Sequence, residues 1–484
     1  MTAPGISWRR WSIAVALTGL AGVSVAAGTG ALVPDPRLGA DGVITLAVFG
    51  GAIALWILST LEDTWIALGA VAALYAVGIL DGQALNDALG NDVVWLLLAA
   101  FVLAAAVESS GLATRATLAL ASRASSPRVL THLLTLGLVA TAFAVPATAG
   151  RAALALPVFV VLARSLSERP RLVRALALLI PTVVLLSAFA SLLGAGAHLV
   201  TEQILDRATG VDIGFAVWAL LGLPLALLSS HLAAEVVLLT TTDRRERRRP
   251  VVVRREDLED GAATATTGRW SGQQRHVAVL MVVVIGLWAS EGLTGLDTTL
   301  IALGGALLAT APRVGVVPLG DGLRRVPWTL LLFLAATLAL GQALERSGAA
   351  DYLARGALTT LPLRGAGFLV VVVVVSTALH LAVPSRTARS TVLVPVVVAV
   401  APALGADPVI AALASTAAAG FCHTLPASAK PVAIFSDVTD PTTGETVPTW
   451  GPRDLLRLAA ILAPLHAVLV LAFALFVWPT LLGR

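Results

Sequence analysis

The chain has 484 residues, of which 57% are hydrophobic and 13% charged, and its formal net charge is +4. Soluble domains carry about 25% charged residues, so this composition excludes a soluble globular enzyme, a nucleic-acid-binding protein and a disordered scaffold. The single cysteine excludes an internal disulfide, and nothing in the sequence resembles a Cys/His zinc set. We predict an all-α polytopic membrane protein with about 11 transmembrane helices plus two re-entrant hairpins.

An apolar run at 11–33 follows the start of the chain, and we predict it to be an uncleaved transmembrane helix within an N-terminal segment, 1–40. Arg9 and Arg10 precede this run, which favours a cytoplasmic N-terminus. The only long polar stretch, 242–275, contains nine arginines. Under the positive-inside rule we predict a cytoplasmic linker there, in a protein of the bacterial inner (plasma) membrane.

The remaining sequence divides into two halves, 41–241 and 276–484, and each half contains one interrupted apolar segment. These segments, near 129–165 and 366–404, have Pro, Gly and charged residues in mid-run. Irregular backbone at membrane depth is tolerated only where protein or a water-filled cavity covers it. We therefore predict one re-entrant helical hairpin in each half.

The two interrupted segments also align with each other. Val145–Val158 matches Val383–Val396 without gaps, with an arginine and two prolines at equal positions. An upstream Glu-x-Ser-Gly match precedes the shared arginine by 43 residues in the first copy and 44 in the second. Each copy is predicted to cross the membrane five times, an odd number, so the two repeats insert with opposite orientation. Inverted repeats with broken helices are typical of secondary transporters whose site lies near the midplane.

Four basic side chains lie in or beside the interrupted segments: Arg151, Arg386, Arg389 and Lys430. Each costs ~2.5–3.5 kcal/mol at the centre of a membrane helix, so each requires a wet cavity, an anion or a carboxylate partner. Glu202 is the only acidic residue in the corresponding loops. This excess of positive charge predicts an anion-binding site. In the alternative interpretation, Arg151 and Arg389 cap the C-termini of hairpin helices or pair with loop carbonyls.

Histidines near these segments are the other titratable candidates. His380 and His423 are interpreted as neutral side chains packed between helices. His198 lies in the Gly-rich break GAGAHLVTEQ, and we predict that it and Glu202 are candidate proton-coupling groups. Three more are interpreted as packing or interface residues: His132, His231 and His466.

At these residues the sequence resembles the divalent anion:sodium symporter family, within the wider ion transporter superfamily. That family carries Ser-Asn-Thr at each hairpin tip; here Ser385-Arg386-Thr387 stands in the second copy and Ala147-Thr148-Ala149 in the first. The family's LPxxTPPNAI segment is similar to Leu425–Ile434, and its VWLLLGGF-like helix is similar to VVWLLLAAF in this chain. The resemblance covers most of the chain, and the order of elements is its strongest part.

The resemblance implies a homodimeric, elevator-type transporter in the lipid bilayer. A scaffold domain would hold the dimer together, and a mobile transport domain would contain both hairpins. Family substrates include C4-dicarboxylates, citrate and sulfate. Combined with the charge argument, the resemblance gives seven predicted substrate-binding residues: Thr148, Arg151, Ser385, Arg386, Thr387, Arg389 and Lys430.

The chain also departs from the family at positions that help to form sodium sites. Thr148, Arg386 and Val432 stand where the family has asparagines. A guanidinium has hydrogen-bond donors and no acceptor, so it cannot ligate a cation. We therefore predict anion transport without sodium, by exchange or with protons, and we predict no metal site and no other cofactor.

The predicted function is secondary active transport of a small (di)anion, such as a dicarboxylate, citrate or an oxyanion. Two alternatives stay open: a non-transporting membrane receptor or assembly component derived from the same fold, and a cation/proton or arsenite-type transporter. The latter requires acidic or polar ligands in the membrane, where this chain is mostly basic. An enzyme is disfavoured, because the sequence has no HExxH or GxSxG motif.

Overall fold

The computed structural model of the protein describes residues 38–251, 270–353 and 363–483. The predicted N-terminal helix at 11–33 and much of the predicted linker, 252–269, therefore lie outside the described residues. Within the described ranges the chain is helical, with one isolated antiparallel bridge between Thr439 and Thr446. The predicted all-α architecture is confirmed.

Ten helices lie between residue 38 and the predicted linker, and an eleventh lies within the linker. In chain order they are α1 (Gly39–Leu58), α2 (Asp63–Ala76), α3 (Gly82–Leu89), α4 (Asp92–Ser110), α5 (Leu112–Ala121), α6 (Pro127–Ala140), α7 (Thr148–Ser165), α8 (Pro170–Leu186), α9 (Gly196–Thr209), α10 (Phe215–Thr241) and α11 (Arg244–Arg248).

A further eleven described helices follow. They are α12 (Gly272–Ala289), α13 (Glu291–Thr294), α14 (Thr298–Ala309), α15 (Leu319–Arg324), α16 (Trp328–Arg346), α17 (Ala366–Ala378), α18 (Arg386–Val400), α19 (Pro408–Ala418), α20 (Lys430–Ile434), α21 (Pro452–Ala472) and α22 (Trp478–Leu482), with a π-helical turn at Phe473–Val477 before α22.

Short polar residues fix where many of these helices begin. Each cap accepts a hydrogen bond from the backbone N–H three residues later, which satisfies one of the amides left open at a helix start. Caps of this kind are Asp81, Ser126, Asp243, Ser271, Asp297 and Ser385. Ser271 also forms a reciprocal capping box with Gln274.

Eight helical segments in the described part of the chain are long and apolar enough to cross a membrane, and six further apolar helices are shorter. A polytopic membrane protein follows from these lengths, because about 20 residues span the hydrocarbon core. The finer count of about 11 transmembrane helices stays a prediction.

The backbone is interrupted at both predicted hairpins. In the first, α6 passes through a 3-10 turn at Thr141–Phe143 and a short break before α7 begins. In the second, α17 passes through a 3-10 turn at Leu379–Leu381 before α18 begins. The matched breaks support the repeat, whereas the re-entrant course and inverted orientation stay predictions.

The chain forms two compact units. Unit 1 comprises residues up to Val94, Val200–Asp212 and Pro327–Thr416, and unit 2 comprises Trp95–Leu199, Ile213–Val326 and the chain from Ala417 onward. Both units draw on both halves of the sequence, and three helices, α4, α9 and α19, contain a unit boundary.

Unit 2 contains an extensive apolar core. Phe159 of α7 and Phe435 meet edge to face, with ring centroids 5.5 Å apart, within a cluster that includes most of α8. Backbones approach closely where α8 ends: a Cβ on Gly222 of α10 would lie 2.1 Å from the carbonyl oxygen of Phe189. Glycine is therefore required at this crossing.

Unit 1 is built around α2 and α16. Thr64 Oγ1 donates to the carbonyl oxygen of Thr329 at 3.0 Å, and the rings of Trp56 and Phe333 lie 6.2 Å apart. Its interior also contains a hydrogen bond between two buried hydroxyl groups, Ser376 Oγ and Ser415 Oγ, which are 2.9 Å apart. Ser376 belongs to the second interrupted segment, 366–404.

Candidate functional site: two hairpin breaks and their polar side chains

The first break has an unusual backbone. Ala147, directly before α7, has φ +74° and ψ 130°, a region that L-residues rarely occupy. Thr148 begins α7 and is half-buried. Ala147 has no side chain that can cap α7, whereas Ser385, the residue aligned with it in the second interrupted segment, caps α18.

Arg151, in the first turn of α7, is buried at 1% exposure within unit 2. Its Nε donates to Thr141 Oγ1 at 3.0 Å, and its Nη1 donates to the Val184 carbonyl at 3.0 Å. Its Nη2 donates to both the Leu138 carbonyl and Ser187 Oγ at 2.6 Å.

These acceptors lie at the C-terminal ends of α6 and α8, where carbonyls lack intrahelical partners. The negative end of each helix dipole also favours a cation there. The contacts match the capping interpretation of Arg151, and its role in substrate binding stays a prediction.

The second break presents its polar groups differently. Ser385 caps α18 by accepting from the N–H of Ala388 at 3.2 Å, and Arg386 and Thr387 follow it as half-buried residues. Arg389 is buried completely in unit 1, and its Nη1 donates to the Val383 carbonyl at 2.9 Å. Two arginines therefore occupy the first turn of one helix.

Buried hydroxyls on the same hairpin add to this set. Thr377 Oγ1 and Ser390 Oγ are buried and make no hydrogen bond with any residue that the structure describes. A buried polar atom without a partner costs free energy, so such atoms mark a place where a ligand or water completes the bonding. Ser390 follows Arg389 directly, yet neither hydroxyl stands out from the sequence alone.

Lys430 begins α20 in unit 2 and is exposed. Its ammonium group makes no hydrogen bond or ion pair within the described ranges. Arg386 and Arg389 belong to unit 1, whereas Arg151 and Lys430 belong to unit 2. A single site shared by all four cations stays a prediction.

The predicted proton-coupling residues both lie on α9 and are both buried. His198 stacks on Trp218, with centroids 5.0 Å apart, and its Nδ1 lies 2.9 Å from the Ser191 carbonyl. Glu202 accepts from Gln203 Nε2 at 3.2 Å, and Gln203 in turn accepts from Asn91 at 2.9 Å. Both residues are tied into polar contacts, and their titration stays a prediction.

A second titratable group, interpreted from the sequence as packing, is assembled between α6 and α10 of unit 2. His132 Nδ1 lies 2.8 Å from His231 Nδ1, and His132 Nε2 lies 2.6 Å from Glu235 Oε1. Arg128 Nε donates to the same carboxylate oxygen at 2.6 Å. The spacing i, i+4 within Arg128/His132 and within His231/Glu235 is the sequence signal that could have identified the group.

One buried ion pair holds the loop before α21 in unit 2. Arg164, at the end of α7, donates to both carboxylate oxygens of Asp440, whose side chain is 5% exposed. These hydrogen bonds hold the pKa of Asp440 well below its usual range, and backbone N–H groups of Thr442 and Thr443 contribute. Because the Arg164–Asp440 pair joins the end of α7 to the loop before α21, we interpret its role as structural.

Comparison with known proteins gives the family. The family model for the sodium:sulfate symporter transmembrane region matches residues 7–483. A Cupriavidus necator "membrane protein" is 25% identical over 401 residues, covering 78% of this chain and 77% of its own. The "sodium-dependent dicarboxylate transporter SdcS" of Staphylococcus saprophyticus is 23% identical over 429 residues, covering 81% and 80%.

A solved structure has the same fold. The YdaH transporter of Alcanivorax borkumensis matches with a TM-score of 0.55 and 16% identity, covering 88% of this chain and 99% of that chain. The family and the named relative are transporters and not enzymes, and the apolar helices make this a multi-pass membrane protein. The chain belongs to the divalent anion:sodium symporter family, as its hairpin motifs indicated.

Proposed function

We propose that the chain is a secondary active transporter of a small dianion, such as a dicarboxylate, citrate or an oxyanion, and that the second hairpin binds it. The complete burial of Arg389, on the same hairpin as unpartnered Thr377 and Ser390 hydroxyls, supports this proposal most directly. Guanidinium and hydroxyl groups are the donors that carboxylates and oxyanions require.

The electrostatics of α18 favour an anion at its first turn. The N-terminus of a helix carries about half a positive charge, and Arg386 and Arg389 add two full charges within that turn. The helix N-terminus and the two guanidinium groups together make this turn electropositive, which favours a bound anion. In the first hairpin, the guanidinium group of Arg151 donates four hydrogen bonds to acceptors of the protein itself.

Transport is proposed to be independent of sodium, by exchange or with protons. Arg386 supplies covalently a charge that a sodium ion would otherwise bring. A sodium ion 4 Å from a guanidinium would be repelled by about 4 kcal/mol at an effective dielectric constant of 20. The Staphylococcus relative is named for sodium dependence, so this departure separates the two proteins.

The finer architecture is also a proposal. Two inverted repeats, a scaffold and a mobile transport domain, elevator movement and a homodimer extend the family resemblance to this chain. The cytoplasmic N-terminus and bacterial inner membrane location rest on the arginine-rich linker and the positive-inside rule.

Calorimetry and uptake together test the function. Dicarboxylate, citrate and sulfate are titrated into the purified protein in sodium and in choline media, and the same anions are offered to proteoliposomes. Arg389→Gln is expected to remove binding, and Arg386→Asn to weaken it without rescue by sodium. The exposed Arg248→Gln serves as the matched control and keeps wild-type affinity.

Two results would count against the proposal. Steep sodium dependence in the unmodified protein would refute sodium independence. Binding that survives Arg389→Gln, with no uptake by the unmodified protein, would favour the alternative of a non-transporting receptor or assembly component.

A further inference from the structure

We propose that His132, His231 and Glu235, none of which belongs to the proposed anion site, form a binding site for a single proton in unit 2. The two imidazoles and the carboxylate form an unbroken chain of contacts at 2.8 and 2.6 Å between α6 and α10. The ring centroids of the two histidines are 5.0 Å apart.

The hydrogen-bond geometry fixes where protons lie in the neutral state. Glu235 Oε1 accepts from Arg128, so this carboxylate is ionised and His132 Nε2 donates to it. A neutral His132 then has a lone pair on Nδ1, and His231 Nδ1 must be the donor across the 2.8 Å contact. The remaining lone pair of the group is on His231 Nε2.

One additional proton fits this arrangement and a second does not. Protonation of His231 at Nε2 keeps every contact, and Glu235 compensates the new charge. A second proton would have to bind His132 Nδ1, directly opposite the N–H of His231 Nδ1. Two donors and two cationic rings would then face each other, which breaks the contact between α6 and α10.

A metal ion fits the site less well than a proton. A zinc ion bound to two imidazole nitrogens at about 2.0–2.1 Å with tetrahedral angles would hold them about 3.3 Å apart. The observed 2.8 Å is instead the separation of one shared hydrogen bond.

The group lies near one end of its helices. His132 is five residues from the start of α6, about 8 Å along the axis, and Glu235 is six residues from the end of α10, about 9 Å. The same end carries the arginines of α11, and Val251 beyond them donates to the Ser125 carbonyl before α6. Protons from the linker side therefore have the shorter path.

Three ionisable groups on neighbouring helices have described partners of their own. Arg115 of α5 donates to Gln274, and on α8 Arg171 pairs with Asp243 and Arg174 with Asp454. The remaining titratable or charged residues on packed elements are Arg244, Arg245, Glu246, Arg247 and Arg248 of α11, Arg275 and His276 of α12, Glu291 of α13, and Arg453, Arg457 and His466 of α21. Among charged residues, Arg128 is the one that bonds Glu235 beside His132.

Nuclear magnetic resonance of protein labelled with 15N-histidine tests the site directly. The chain has seven histidines, so single substitutions assign each signal. The two histidines are expected to share one protonation step, and Glu235→Gln should lower its midpoint by about one pH unit, because a carboxylate favours the charged ring. His231→Gln should raise the midpoint of His132, and His276→Gln should change neither.

Uptake supplies a second readout, and only this readout rests on the proposed function. An inward proton gradient should stimulate anion uptake, and Glu235→Gln should abolish that stimulation while His276→Gln retains it. Two independent full protonation steps, or an unchanged midpoint in Glu235→Gln, would overturn the proton site. No uptake by the unmodified protein would instead refute the transport function, and the titration would still decide the site.

Discussion

Arg151 and Arg389 occupy equivalent positions in the two repeats, yet their surroundings predict opposite consequences of mutation. Arg151→Gln removes the donor from the Leu138 and Val184 carbonyls and from the Thr141 and Ser187 hydroxyls. At about 1 kcal/mol for each of the four hydrogen bonds lost, the free energy of unfolding should fall by about 4 kcal/mol. Relief of the buried charge and partial rebonding by Gln reduce this to about 2–4 kcal/mol.

Tryptophan fluorescence during heating in detergent measures this loss. For Arg151→Gln, Tm is expected to fall by roughly 4–16 °C, since a loss of about 1 kcal/mol lowers Tm by about 2–4 °C in chains of moderate length. Arg389→Gln should abolish anion binding by calorimetry. If Arg151→Gln keeps the wild-type Tm and loses the anion instead, the capping role is wrong and the binding role predicted from the sequence is correct.

Three further predictions concern the backbone and one ion pair. Ala147→Gly should raise Tm, because it relieves ~1–3 kcal/mol of strain at φ +74°; a lower Tm would contradict this. Asp440→Asn should make the stability of the protein less sensitive to acid. Because the pKa of Asp440 is lowered in the folded state, its ion pair with Arg164 stabilises the fold fully above about pH 4, and this stabilisation is lost as the pH falls through the folded-state pKa. Between about pH 6 and pH 3, Tm should therefore drop more in the unmodified protein than in the variant. Gly222→Ala should prevent stable folding, since its Cβ would lie 2.1 Å from the Phe189 carbonyl, whereas Gly272→Ala, with nothing within 4 Å, should be tolerated; equal expression of both would refute the close approach.

The sequence predicted the class of protein and the position of its breaks. Proline, glycine and arginine in mid-run at 129–165 and 366–404 required a non-helical backbone, and both segments are interrupted there. This inference succeeds because membrane burial leaves few ways to satisfy backbone groups, so interruptions are visible in composition. The family motifs at Ser385-Arg386-Thr387 then led to the correct family.

The contacts of individual side chains could not be predicted from the sequence. Arg151 and Arg389 look equivalent in an alignment, and only the positions of α6 and α8 provide Arg151 with its four acceptors. His132 and His231 are 99 residues apart in sequence, so their contact depends on how α6 packs against α10.

The sequence by itself determined that the chain is helical, membrane-embedded and unusually cationic at its breaks. These properties follow from composition and local order, because hydropathy and charge act on each segment separately. Only the tertiary structure showed that Arg151 bonds the ends of α6 and α8 and that Arg389 is completely buried, since such contacts join atoms from helices that are distant along the chain.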